Sequence, residues 1–142
     1  MEPSFDRALR GFAAGVVSFF LFHQGMWELL HVVGVMPPAF PMGATAPLGV
    51  PQSYSLAFWA GIWGALFGWV RPRLGGLPLV AGGFLCGMAA TVFALFVVFP
   101  IKGLPLGNGF TFWGILIPVL INGAWGIGLG LLLPYTRRTA TG

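Results

Sequence analysis

Gly83-Phe84-Leu85-Cys86-Gly87-Met88-Ala89-Ala90-Thr91-Val92-Phe93-Ala94-Leu95-Phe96-Val97-Val98-Phe99 carries no charged residue and forms most of an apolar run over about 77–99. That length suits a helix crossing a hydrocarbon core, which takes about 20 apolar residues for about 30 Å. Comparable runs lie at about 11–34, 54–70 and 110–134, so four crossings use most of the 142 residues and leave only short loops. The composition, 57% hydrophobic and 7% charged, supplies too little polar surface for a soluble globule. The reading is an all-α membrane protein of four transmembrane helices, a single integral membrane domain over 1–142.

Proline and charge punctuate the runs. The first follows Arg7 and Arg10 and is too long, and too polar in its second half, for a signal-peptide core, so it reads as a retained helix. Residues 36–51 are uncharged and include Pro37, Pro38, Pro41, Pro47 and Pro51, which predicts an extended loop lying on the membrane interface. Ser53 is expected to cap the second helix, Arg71-Pro72-Arg73 to end it, and Pro100 to close the third.

Arg7, Arg10, Arg71, Arg73, Arg137 and Arg138 all fall on the side shared by both termini and the middle loop, with only Lys102 opposite. Positive charge marks the cytoplasmic side, so both termini are expected there, in the cell inner (plasma) membrane. Trp69 at the inner edge, with Phe110, Phe112 and Trp113 at the outer, fits the aromatic belts of such spans. The net charge of +4 comes from isolated basic pairs, without the stripe that nucleic acid would need. Cys86 is alone and has no partner for an intrachain disulfide.

The chain also repeats itself. Gly11 and Gly15 match Gly83 and Gly87 at an offset of 72, while Gly64 and Gly68 match Gly126 and Gly130 at an offset of 62. Two parallel copies of a helical hairpin result, over about 10–73 and 82–138, differing mainly in the first outer loop. Small residues four apart let helix backbones approach closely in a solvent that provides no hydrophobic drive, so these eight glycines are expected to pack helices. Trp63 and Trp125 occupy equivalent positions and read as packing anchors.

The first helix holds the unusual chemistry, in His23-Gln24-Gly25-Met26-Trp27-Glu28-Leu29-Leu30-His31. At about 100° per residue, with His23 at zero, Trp27 falls near 40°, His31 near 80°, Gln24 near 100° and Glu28 near 140°, all on one face. An ionisable group inside a bilayer costs about 2.5 kcal/mol or more unless paired, hydrated or neutralised, so that face should turn inward. Glu28 is expected to pair with His31, with Gln24 a turn below. Asn122, at the depth of His23 across the bundle, completes a candidate intramembrane polar site, and Pro118 frees a carbonyl beside it. The corresponding positions of the third helix are Leu95, Phe96, Pro100 and Gly103, so the site belongs to the first half alone.

Such a cluster can lock helices together, relay protons or cations, or bind a metal, quinone or pigment. Glu28 and His31 have the Glu-x-x-His spacing of di-iron bundles, but no other span supplies a carboxylate, so they are weak metal candidates and no cofactor is assigned. Neither a nucleophilic triad nor a phosphate loop is present. Four short spans with Glu28 and Gln24 in the first resemble the small multidrug resistance transporters, which implies proton-coupled exchange of cations. Glycine-rich helices with Asn122-Gly123 are similar to the fluoride-channel family. Both resemblances rest on architecture and one or two residues, and the firm arginine bias departs from the weak bias of the former. The expectation is therefore a non-enzymatic accessory or structural component of a membrane complex. Its partners are the lipid bilayer and a second membrane subunit or copy of itself, and the alternative is a small proton- or cation-linked transporter or channel.

Overall fold

The computed structural model describes residues 2–136, so Arg137 and Arg138 and the end of the second repeat copy lie outside the described residues. Four long helices dominate, joined by turns and one two-stranded ribbon. We label them α1 (3–32), α2 (Gln52–Val70), α3 (Leu79–Ile101) and α4 (Phe112–Leu132), with β1 (Ala44–Thr45) antiparallel to β2 (Val50–Pro51). Of the four, α3 and α4 are long and apolar enough to cross a membrane. The polar face of α1 and the glycine, serine and tryptophan content of α2 dilute the hydropathy of the other two.

Helix α1 starts at Pro3, well before residue 11, because proline is well suited to a first turn whose N–H groups have no helical partner. Ser53 does not cap α2. The helix begins one residue earlier, at Gln52, and the Ser53 hydroxyl instead donates to Pro41 O at 2.7 Å. In α4 the cap is Thr111, whose Oγ1 accepts from Gly114 N at 3.1 Å. Pro118 leaves Gly114 O, four residues earlier, without its helical donor, and Asn108 Nδ2 supplies one at 3.3 Å.

Both α1 and α3 contain one π turn, Phe19–His23 and Ala94–Val98, closed by Gln24 N to Phe19 O and by Phe99 N to Ala94 O. Each extra residue rotates the remainder of its helix by about 100° relative to the start. Both helices also end alike. Gly34 (φ 81°) and Gly103 (φ 76°) adopt the left-handed conformation, with Gly34 N to His31 O and Val35 N to Leu30 O matched by Gly103 N to Pro100 O and Leu104 N to Phe99 O.

Packing is tightest within the pairs α1/α2 and α3/α4. A Cβ on Gly11 would run into Gly64 O, and one on Gly83 into Gly126 O; in turn Gly64 sits against Gly11 O and Gly126 against Gly83 O. Gly15 meets Ala60 O where Gly87 meets Asn122 O, and Gly68 meets Arg7 O where Gly130 meets Leu79 O. Every one of these contacts maps onto its counterpart by the offsets of 72 and 62 read from the sequence. Backbone lies directly on backbone along both seams.

Across the pairs, α1 packs on α4 around Ala14, Phe19, Trp125 and Leu129. Trp125 Nε1 donates to Gly15 O at 3.0 Å, and Ser18 Oγ donates to Trp125 O at 2.6 Å. Trp63 is not its equivalent in environment: it is half-buried against Phe93, with ring centroids 5.7 Å apart, where α2 faces α3.

Candidate functional site

Beyond its π turn, α1 presents Gln24, Trp27, Glu28 and His31 to the proline-rich loop at its C-terminal end. Prolines give that loop few amide donors of its own and no helical partners for its carbonyls. The side chains of α1 supply what is missing. Trp27 Nε1 donates to Pro37 O at 3.0 Å and His31 Nδ1 donates to Met36 O at 2.9 Å. A carbonyl only accepts, so the His31 proton is on Nδ1. Ala39 N donates to Glu28 Oε2 at 3.1 Å, and Phe40 N to Gln24 Oε1 at 2.6 Å.

Gln24 is the buried centre of this arrangement, 1% exposed, and its amide also donates to His23 Nδ1 at 3.0 Å. The ring proton of His23 therefore belongs on Nε2, and the imidazole lies between Phe19 and Trp27, with centroids 4.8 and 6.3 Å away. Phe40 has φ 56°, a left-handed conformation that is strained for an aromatic residue. Gln24 holds its amide while Phe20 stacks on its ring at 6.2 Å. The far side of the loop is tied to α2: Pro41 O accepts from both Ser53 N (2.9 Å) and Ser53 Oγ (2.7 Å), and Gly43 O accepts from Gln52 N at 2.9 Å.

Three of the five candidate residues, Gln24, Glu28 and His31, thus hold one loop, and His23 joins them through Gln24. Glu28 and His31, expected to pair, take different backbone partners three residues apart. Asn122 stands elsewhere. Its Nδ2 donates to Thr91 Oγ1 on α3 at 3.0 Å, and Thr91 Oγ1 donates to Gly87 O at 2.9 Å, so it serves the α3/α4 seam rather than His23. Among the described residues no three of His, Cys, Asp and Glu gather in one place, so Glu28 and His31 have no third residue of these types beside them.

Two features escape sequence reasoning. Ser18 and Thr91 look like the sparse polarity of one half of the bundle, yet both are buried and hydrogen-bonded across helices. Arg7, Arg10 and Arg71, which read only as topology signals, line one hollow of about 360 Å³ at the end of the bundle away from the loop. Their recurrence at the same end of α1 and α2 is the signal that the sequence offers. The chain matches no protein-family model, no curated protein and no solved structure.

Proposed function

We propose that the chain is a four-span integral protein of the cell inner membrane, built from two copies of a helical hairpin with both termini cytoplasmic. It serves as a non-enzymatic structural or accessory component of a membrane complex. The membrane reading is supported by α3: its most apolar window is only 17% buried, the opposite of a soluble core helix, and Leu85, Val92, Phe93 and Phe96 point outward. The gathering of Arg7, Arg10 and Arg71 at one end supports the orientation.

The observation that carries the functional reading is the commitment of the α1 polar face. Gln24, Trp27, Glu28 and His31 each hold a backbone group of the loop, so their polarity answers a folding need. The buried polar side chains Ser18, Gln24, Ser53 and Thr91 all have partners as well. A transporter would need groups left over to line a path across the bilayer.

Reconstitution tests this. Proteoliposomes containing the chain and a trapped pH dye should show proton and cation leakage equal to that of empty vesicles, and the chain extracted from its native membrane should run with a stoichiometric second subunit or copy. A flux that Glu28→Gln abolishes would overturn the reading in favour of the transporter. A lone monomer would remove the accessory role.

A further inference from the structure

The hollow at the arginine end has chemistry that the packing of the helices leaves unused. Its walls bring Arg7 and Arg10 from α1, Gly68 and Arg71 from the end of α2, Leu79 from the start of α3 and Leu133 from beyond α4 around a space of about 360 Å³. Of the three guanidinium groups, that of Arg10 pairs with the Asp6 carboxylate, a turn away. Arg71 is partly engaged, donating from Nη2 to Leu77 O at 2.8 Å. The Nε atoms of Arg7 and Arg10 are out of contact with solvent and have no acceptor among the described residues. A buried cationic N–H without an acceptor is costly, and native structures rarely leave one so.

We infer that this hollow is a binding site for a phosphate group, gripped by Arg7 and Arg10 with Arg71 adding charge. Phosphate offers several strong acceptor oxygens in the geometry that planar guanidinium groups match two at a time. Leu79 and Leu133 line the same space with apolar surface, which suits the glycerol and upper acyl region of an anionic phospholipid. On the membrane reading proposed above the hollow lies at the cytoplasmic interface, where basic pockets between helices meet anionic headgroups. The phosphate site itself does not depend on that reading; only the lipid source of the phosphate does.

Thermal unfolding of the full chain in a non-ionic detergent tests the site. The probes are dioctanoyl phosphatidylglycerol, dioctanoyl phosphatidylcholine and inorganic phosphate, with sodium chloride matched throughout. Phosphatidylglycerol should raise the midpoint by several degrees and phosphatidylcholine should not. Arg7→Gln should weaken the response by about tenfold or more in concentration. Arg7→Lys, which keeps the charge and the fold but loses the fork, should weaken it by less. A full response to inorganic phosphate, equally lost in Arg7→Gln, would keep the site and assign it to free phosphate, against the lipid source. No response to any anion, or a response that both Arg7 variants retain, would overturn the site.

Discussion

The pairs α1/α2 and α3/α4 share a seam and differ at one end. Along the seam the same positions carry glycine and the same carbonyls face them, from Gly11 on Gly64 to Gly83 on Gly126. At the loop end α1 carries Gln24, Trp27, Glu28 and His31; at the offset of 72, α3 has Phe96, Phe99 and Pro100, and Gly103 lies in the turn beyond it. The loops account for the contrast. The short one after α3 closes on itself through Lys102 N to Val98 O, Leu104 N to Phe99 O and Asn108 N to Pro105 O. The longer one after α1 spreads proline over a stretch that cannot do so, and the helix beneath must provide its donors and acceptors. The polar side chains of α1 answer to the loop they hold.

The most damaging way to test the shared seam is to fill it. Gly64→Leu and Gly126→Leu should each cost at least the about 3 kcal/mol at the upper end of ordinary overpacking, because the new side chain meets backbone that cannot rotate away. Loss of the monodisperse, heat-resistant species in detergent would register it. If one variant behaves normally while the other collapses, the two seams are not equivalent.

Next comes the point where the pairs differ most. Gln24→Leu keeps roughly the volume but leaves the Phe40 amide without its acceptor and Phe40 held in its left-handed conformation, so it should cost about 1–3 kcal/mol. Amide hydrogen exchange across 36–43 should speed up in this variant while exchange in 102–111 stays unchanged. Faster exchange in both loops would show that the clamp acts on the whole bundle and not on its own loop.

Much of this is legible in the sequence, for reasons that also mark where legibility stops. Gly11, Gly15, Gly83 and Gly87 announce the seams because glycine spacing is a local signal and close approach has little use for any other residue. The face containing Gln24, Glu28 and His31 is legible because it lies beyond the π turn, within a regular helix. What those side chains bind is not. A residue inserted at Phe19–His23 re-aims the polar face relative to the glycine seam, and nothing in the sequence marks that insertion. Depth alone pairs Asn122 with His23, whereas rotation about the helix axis gives it to Thr91. Ser53 reads as a cap in the sequence, but the helix starts at Gln52, which leaves Ser53 inside the first turn with its hydroxyl donating to Pro41 O.

The Thr91 relay is the α3/α4 counterpart of the clamp, and a milder one. Thr91→Val removes the acceptor of Asn122 Nδ2 and the donor to Gly87 O while keeping the shape. Hydrogen bonds between membrane helices average about 0.6 kcal/mol and reach about 1.7, so the variant should lose about 1 kcal/mol, read as a small drop in unfolding midpoint. A double cycle with Asn122→Ala should recover most of that as coupling. Additive losses would mean that the two side chains do not act together.

The smallest expected effect decides whether α1 is polar for its loop or for transport. The Glu28 carboxylate accepts one hydrogen bond, from Ala39 N at 3.1 Å, at an exposed position. Glutamine keeps an oxygen at the same reach, so Glu28→Gln should change stability by less than about 0.5 kcal/mol, whereas Glu28→Ala should lose about 1 kcal/mol with the bond itself. Exchange of the Ala39 amide should be as slow in the glutamine variant as in the parent chain and several-fold faster in the alanine variant. A loop clamp requires only an acceptor; a proton or cation site requires the charge. If glutamine proves as harmful as alanine, the charge itself is in use, and the polarity of α1 has a purpose that its loop does not explain.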